Sequence, residues 1–233
     1  MLSGFYQESE GKVSFTRDQA SRFAKLIADD YNPLHDIDAK RFCVPGDLLF
    51  SMVLNKYGVS EKMHFTFAGM VDEKVSLIFP DADSDIALTQ DEKVYLSVNR
   101  EGDTSTCEEL TNSLIKNYVE FSGKAFPHVI IPLMSEQEVM INPARPMVMY
   151  ESMSIEFSNL DVKQPVLEFV TPEFELSGKR GKITLPFVFK DGDKVIGKGE
   201  KNMLVSGIRE YCQKTVDELI AYYNQRKVDL KPA

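Results

Sequence analysis

The segment between Pro45 and Gly58 has the composition of a helix that is apolar on nearly all of its sides. Pro45, Gly46 and Asp47 suit its first turn, and Gly58 can end it in the left-handed conformation. The apolar residues in between are Leu48, Leu49, Phe50, Met52, Val53 and Leu54. A helix that is apolar all round is a buried one, so the rest of the chain must supply the structure that covers it.

Segments that can cover this helix follow it along the chain. Apolar and polar residues alternate in three of them, as in strands with one buried face: 63–68, 75–79 and 94–98. Four more strand candidates lie at 149–157, 166–170, 183–190 and 194–206, the last two joined by a hairpin turn at Asp191-Gly192. The acidic residues 81–91 are expected to form a loop. The pattern predicts an α+β protein with an antiparallel sheet wrapped around the buried helix.

The order of elements suggests an internal repeat. Further helices are expected at residues 16–28, 110–121, 132–141 and 208–226. Residues 27–35 and 121–128 can be set against each other, because each ends a helix and carries a proline shortly before a histidine. The match is short enough to arise by chance, but the repeated order of helix and strands favours a duplication. The two parts would be residues 1–104 and a degenerate copy at 105–233.

Residues 29–35 (Asp-Asp-Tyr-Asn-Pro-Leu-His) are the main candidate for chemistry. They follow an amphipathic helix, and Pro33 forces that helix to stop shortly before it. Asp30 and His35 then lie on either side of a chain reversal and can point at one place. A carboxylate beside an imidazole can do acid–base work. The alternative interpretation is a capped helix end with an ordinary histidine in the turn.

The same residues resemble a family signature. The MaoC-like hydratases, which are (R)-specific enoyl-CoA hydratases of the hotdog fold, carry Gly-Asp-x-Asn-Pro-(Leu/Ile/Val)-His. Five of its six specified positions match residues 29–35, and Ala39, Phe42 and the segment 45–49 follow as in the family. The similarity covers roughly residues 10–100. It implies a hotdog fold, in which an antiparallel sheet wraps a buried helix, and membership of a bacterial branch of that superfamily. With the repeated order of elements, it implies a tandem double hotdog.

The resemblance also implies roles for individual residues. Asp30 and His35 would activate a water that adds to the β-carbon of a trans-2-enoyl thioester. Asn32 would shape the turn, and backbone N–H groups of Gly46 and Asp47 would hold the enolate oxygen at the start of the buried helix. The reaction implies no metal or redox cofactor, since coenzyme A enters as part of the thioester substrate.

The chain departs from the family pattern at Asp29 and at the start of the buried helix. There the usual Ala-His-Gly-Met-Leu appears as Pro-Gly-Asp-Leu-Leu at residues 45–49, closer to His35 than is typical. Asp29 replaces the signature glycine and adds a negative charge beside Asp30. Asp47 places a carboxylate near the expected oxyanion site, where it would either oppose an enolate or cap the helix. These departures keep open two other functions: a non-catalytic protein that binds acyl-CoA or another small ligand, and a hotdog thioesterase.

The composition limits the partners. A net charge of −9 argues against a general binder of nucleic acid or membrane surfaces. Three scattered cysteines fit neither a zinc site nor a disulfide framework. Residues 1–4 lack the features of a signal peptide, and no apolar run reaches the roughly 20 residues of a membrane span. A cytoplasmic protein that acts on a small acyl thioester is expected, and a homodimer is compatible with the pattern.

A compact basic turn at residues 178–182 stands out in this acidic chain. A solvated hairpin turn is its simplest interpretation. The alternative is that Lys179 and Arg180 bind the phosphates of coenzyme A.

Overall fold

The protein is a mixed α+β structure in which helices pack on one large antiparallel sheet. The computed structural model describes residues 2–144 and 147–231. The helices are α1 Arg17–Leu26, α2 Gly46–Tyr57, α3 Glu108–Ala125, α4 Ile131–Ser135 and α5 Gln213–Asp229. A 3₁₀ turn at Pro33–His35 precedes α2, and a π-helical turn at Phe126–Ile130 connects α3 to α4. This confirms the predicted α+β class with a large antiparallel sheet.

The main sheet contains eleven strands among the described residues. In chain order the strands of the molecule are β1 Gln7–Ser9, β2 Lys12–Ser14, β3 Val59–Phe67, β4 Ser76–Ile78, β5 Asp85–Gln90, β6 Lys93–Ser105, β7 Val139–Met140, β8 Val148–Phe157, β9 Val166–Phe169, β10 Glu173–Ser177, β11 Arg180–Asp191, β12 Lys194–Ser206 and β13 Arg209–Glu210. The sheet order is β1-β2-β4-β5-β6-β3-β8-β12-β11-β10, and β9 also pairs with β11. Strands β7 and β13 form a separate pair.

The two halves of the sheet repeat one strand order. From the central β3–β8 pair outward, one side runs β3, β6, β5, β4 and the other runs β8, β12, β11, β10. In each of these two sets of four strands, the first strand along the chain lies at the centre and the last strand lies next to it; β1 and β2 extend the first set at its edge. The predicted boundary after residue 104 falls at the end of β6, but both predicted parts contribute to the same continuous sheet.

Helix α2 is the buried helix that the sequence predicts. Every residue from Asp47 to Leu54 is buried. The Phe50 ring packs against Phe65 of β3 at 5.1 Å and against Tyr118 of α3 at 4.6 Å between centroids. Each fully buried large apolar side chain contributes about 1.5–3 kcal/mol relative to an exposed one. Helix α2 is therefore held between the sheet and α3.

Gly58 ends α2 with a φ of 78°, although its ψ of −173° lies outside the left-handed helical region that the sequence suggests. A Cβ atom here would lie 2.5 Å from the carbonyl oxygen of Ser105. The close approach of β6, together with the positive φ, requires glycine at this position.

Three local predictions were wrong. Part of the expected loop at residues 81–91 is β5, because Ile86 and Leu88 alternate into the core between acidic ends. The expected helix at 132–141 ends at Ser135, and β7 follows it. The last helix begins at Gln213 rather than near residue 208, because β13 pairs with β7 first.

The second copy of the proline–histidine motif does not form the turn seen in the first. Residues 126–130 continue α3 as a π-helical turn, whereas Pro33–His35 leaves the helix as a 3₁₀ turn. His128 is exposed, and Lys124 forms an ion pair with Glu120 on the same helix. The two proline–histidine segments that the sequence aligns therefore adopt different local structures.

Gly123 lies inside α3, not at its end, and permits a close helix contact. A Cβ atom at Gly123 would be 1.8 Å from the carbonyl oxygen of Ala28, just before residues 29–35. Gly123→Ala is therefore expected to lower the free energy of unfolding by about 1–3 kcal/mol, because backbone must move to relieve the overlap. Urea unfolding measures this loss. Gly4→Ala is the control, since a Cβ there has no neighbour within 4 Å; an equal effect of both variants would contradict the expectation.

Candidate active site

A cavity of about 940 Å³ opens where the predicted motif meets the start of α2. Its lining includes the motif loop, the first turn of α2, residues 67–71 at the end of β3, α3, strands β8 and β12, and α5. The predicted residues Asp30, Asn32, His35, Gly46 and Asp47 all line this cavity. The structure therefore brings them together around one space.

The motif loop begins where α1 ends. A capping box between Thr16 and Gln19 starts this helix, and Asp29 leaves it with a left-handed φ of 52°. Aspartate tolerates this conformation better than most residues, and glycine adopts it most readily. This positive φ explains why the MaoC-like signature has glycine at the position that Asp29 occupies here. The charge of Asp29 is offset by an ion pair with Lys227.

Short-range hydrogen bonds hold the turn that carries the acid–base pair. The Asn32 backbone N–H donates to Asp30 Oδ1 at 2.8 Å, and Asn32 Oδ1 accepts from the Leu34 N–H at 3.1 Å. Asn32 therefore shapes the turn through its side chain, as the sequence predicts. Both contacts fix the positions of Asp30 and His35.

The His35 ring is oriented on both sides. Its Nδ1 lies 2.6 Å from the carbonyl oxygen of Cys43, and its Nε2 lies 3.5 Å from Asp30 Oδ2. A carbonyl oxygen can only accept a hydrogen bond, so Nδ1 carries the proton in the neutral ring. The lone pair of Nε2 then faces Asp30 and the cavity. The pair can share a proton or bind a water molecule that contacts both of its groups.

Helix α5 forms one wall of the cavity and is fastened to the motif loop. Arg226 forms an ion pair with Asp36, and Lys227 forms one with Asp29. The Tyr223 hydroxyl accepts a hydrogen bond from the Tyr31 N–H at 3.4 Å. Burial raises the pKa of Tyr223, so this hydroxyl stays protonated. The last helix therefore covers the motif in the first predicted part of the chain.

A buried ion pair stands behind the turn. Lys25 Nζ lies 3.0 Å from Asp36 Oδ1, without the angles of a hydrogen bond. Burial lowers the pKa of Lys25 to about 8, while the charge of Asp30 acts in the opposite direction. The positive charges of Lys25 and Arg226 flank Asp36 and stabilise the carboxylate that follows His35.

A second buried polar cluster borders the same cavity. The Ser122 hydroxyl on α3 donates to Asp47 Oδ2 at 2.5 Å, and Lys201 Nζ on β12 donates to Ser122 Oγ. Lys201 Nζ is also 3.9 Å from Asp47 Oδ1 and 4.0 Å from the centre of the Tyr150 ring. Burial raises the pKa of Asp47 and lowers that of Lys201, while each partner's charge opposes the shift of the other.

The structure gives Asp47 neither of its two expected roles, which were to cap α2 or to oppose an enolate. Its carboxylate is held by Ser122 and Lys201, so it neither caps α2 nor presents an uncompensated charge to the cavity. The N-cap of α2 is Pro45, which gives no side-chain cap. The first N–H groups of a helix have no partner within the helix, so the N–H groups of Gly46 and Asp47 remain suited to hold a negative oxygen.

The basic turn lies elsewhere. Lys179 and Arg180 are exposed at the β10–β11 hairpin and are not among the residues that line the cavity. The cavity instead includes four residues that the sequence analysis did not select: Ser122, Lys201, Tyr223 and Arg226. The sequence contains one sign of this cluster, which is the lysine at position 201 within the predicted strand 194–206. A single lysine does not show which residues it will contact.

The fold and the cavity define an α+β protein with acid–base groups at the start of a buried helix. The chain belongs to the family described as "Protein of unknown function (DUF3581)", whose model matches residues 1–214. A comparison with curated proteins gave no match.

Solved structures with some likeness include a TesB protein, an acyl-CoA thioesterase and a dehydratase. A TesB protein of Mycobacterium avium subspecies paratuberculosis is 9% identical, with 70% of this chain and 87% of that chain covered and a TM-score of 0.41. The acyl-CoA thioesterase II TesB2 of Mycobacterium marinum is 10% identical, with coverage of 72% and 90% and a TM-score of 0.43. A MaoC-like dehydratase is 10% identical, with coverage of 87% and 41% and a TM-score of 0.22. All these TM-scores lie below 0.5, so the function proposed for this chain rests on the side chains of its cavity.

Within residues 2–144 and 147–231, no helix is long and apolar enough to cross a membrane.

Proposed function

We propose that this protein hydrates or dehydrates an acyl thioester of the enoyl-CoA type. The observation that carries the proposal is the Asp30–His35 pair, whose groups lie 3.5 Å apart in a cavity at the start of a buried helix. The repeated strand order around β3 and β8 supports a tandem double hotdog as the underlying fold. Residues 29–35, which resemble the signature of the MaoC-like hydratases, supply the acid–base groups.

The reaction begins with a water molecule in the cavity that contacts both Asp30 Oδ2 and His35 Nε2 from the side. His35 Nε2 takes a proton as the water oxygen bonds to the β-carbon of the enoyl thioester, while Asp30 orients the water and stabilises the imidazolium. The negative charge moves to the thioester oxygen, which the N–H groups of Gly46 and Asp47 stabilise. Return of the proton to the α-carbon completes the 3-hydroxyacyl product. Acid–base groups and a thioester suffice for each step.

The paired state of Asp47 favours this reaction. A free carboxylate beside the enolate would oppose the developing negative charge. In the structure, Lys201 and Ser122 offset the charge of Asp47. The departure from the family sequence at Asp47 is thereby compatible with an oxyanion site.

Incubation with crotonyl-CoA tests the proposal directly. Loss of the enoyl chromophore with formation of 3-hydroxybutyryl-CoA is expected. Binding of crotonyl-CoA without turnover would select the ligand-binding alternative. Release of free coenzyme A without any 3-hydroxybutyryl-CoA would select thioester hydrolysis.

The basic turn gives a separate prediction about the coenzyme A end of the substrate. If Lys179 and Arg180 contact its phosphates, replacing both with glutamine is expected to raise the Kd for butyryl-CoA, more strongly at low salt than at high salt. Fluorescence titration at two ionic strengths measures this effect. Lys194 and Lys198, on the neighbouring β12, provide the matched double substitution. Equal affinity for all three proteins would remove the turn from the binding site.

A further inference from the structure

The Ser122 hydroxyl lines the cavity but takes no part in the proton transfers of hydration. Ser122 lies in the last turn of α3, at a distance of 75 residues along the chain from Asp47. Its hydroxyl is held between a carboxylate and an amine, and all three side chains are buried. We propose that Ser122 is a nucleophile that accepts the acyl group of a thioester bound in this cavity.

The hydrogen-bond directions fit an activated serine. Ser122 donates its only hydroxyl proton to Asp47 Oδ2 at 2.5 Å, within the reach that a general base requires. Lys201 donates to the same Oγ, so its charge stabilises the oxygen as the proton leaves. A nucleophile next to a base, with a third group fixing the arrangement, is the general pattern of covalent catalysis.

Burial strengthens this arrangement. Removal from water raises the pKa of Asp47, which makes its carboxylate a stronger base than an exposed aspartate. Lys201 Nζ lies 4.0 Å from the centre of the Tyr150 ring, a contact that favours its charged form. The serine therefore has a base on one side and a cation on the other.

The N-terminus of α2, which is proposed to hold the enolate oxygen during hydration, could also hold the carbonyl oxygen during acyl transfer. Asp47 belongs to the first turn of α2, so a thioester oxygen held by that turn lies close to the partner of Ser122. Attack on the carbonyl carbon places negative charge on the same oxygen. One bound thioester could thus meet two sets of reactive groups.

The step balances with groups that are present. Ser122 Oγ bonds to the thioester carbonyl carbon as its proton passes to Asp47, and the carbon–sulfur bond breaks. Asp47 returns the proton to the leaving thiolate, which gives an acyl-serine ester and a free thiol. Addition of water to that ester releases the carboxylic acid and restores the serine.

An alkyl fluorophosphonate tests the nucleophile without relying on a short-lived acyl ester. Ser122 would attack its phosphorus, fluoride would leave, and a stable adduct would remain. Intact-mass measurement is expected to show one adduct, and peptide fragmentation is expected to place it on Ser122. Because mapping uses the unaltered protein, a folding defect in a variant cannot obscure the result.

Two substitutions sharpen the test. Ser122→Ala is expected to abolish labelling, whereas Ser51→Ala is expected to retain it. Ser51 is the matched control, because it is buried and donates to the Asp47 carbonyl at 2.6 Å but does not line the cavity. No adduct on the unaltered protein, or an adduct at another residue, would overturn the proposal.

Butyryl-CoA separates this activity from hydration, because it has no double bond to hydrate. We expect the unaltered protein and Ser51→Ala to release coenzyme A from butyryl-CoA, and we expect Ser122→Ala to release none. Release that survives Ser122→Ala, or the absence of release, would reject acyl transfer to Ser122. Turnover of crotonyl-CoA to the hydroxyacyl product is a separate readout, so either proposal can fail alone.

Discussion

Replacing His35 with alanine is expected to slow the hydration of crotonyl-CoA by a factor of about 10²–10⁴, the range that a positioned general base contributes. The ring supplies the lone pair that faces Asp30, and alanine supplies no substitute. Asp30→Asn is expected to act in the same direction, because an amide neither carries a charge nor stabilises an imidazolium. Initial rates at saturating and at low crotonyl-CoA separate losses in kcat from losses in binding.

His64→Ala provides the control for this prediction. His64 is exposed on β3 and is not among the residues that line the cavity. The His64→Ala variant should hydrate crotonyl-CoA at the same rate as the unaltered protein. Circular dichroism of all variants checks that the fold is retained after the His35 contact with the Cys43 carbonyl is lost. Turnover that survives both His35→Ala and Asp30→Asn would reject the assigned acid–base pair.

Lys201→Met is expected to lower the free energy of unfolding by about 3–5 kcal/mol, because it leaves Asp47 buried without its cation. The methionine fills a similar volume, so the loss comes from charge more than from packing. Urea unfolding at neutral pH measures the difference. The double variant Asp47→Asn/Lys201→Met removes both charges and should recover more than half of that loss. A double variant as unstable as the single one would show that packing dominates.

The Lys201→Met variant should also regain stability in acid. Burial raises the pKa of Asp47 in the folded protein, and removal of Lys201 takes away an influence that lowers it. The folded state therefore holds a proton that the unfolded state releases above about pH 4. Stability falls as pH rises through this window, by about 1.4 kcal/mol per pH unit, until the folded carboxyl itself ionises. A pH-independent deficit between about pH 5 and pH 8 would contradict this account.

Local patterns made the buried helix and the motif turn predictable. The apolar residues of α2 must be buried whatever surrounds them. The ring of Pro33 disfavours a helical conformation in the residue before it and so ends the preceding helix. Asn32 and Asp30 act on backbone groups two residues away. Interactions of this range can be read from a sequence because the chain itself keeps the partners close.

The second polar cluster was not predictable for the opposite reason. Lys201 and Ser122 are separated by 79 residues, and they meet only because β12 lies next to β8 in the sheet and α3 packs beside α2. The sequence shows a lysine in a strand and a serine in a helix, with no local sign of a shared partner. The wall formed by α5 was missed similarly, since its contacts with the motif loop span about 190 residues.

Helix α5 differs from the other walls of the cavity in how it is attached. Only Val216 and Tyr223 among its residues are buried, and Arg226 and Lys227 hold it through ion pairs. A unit with few buried apolar contacts opens at a lower free energy than a core strand. Its amide hydrogens are therefore expected to exchange with deuterium well before those of β3 and β8. Partial unfolding of α5 alone would open a route from solvent into the cavity while the sheet remains intact.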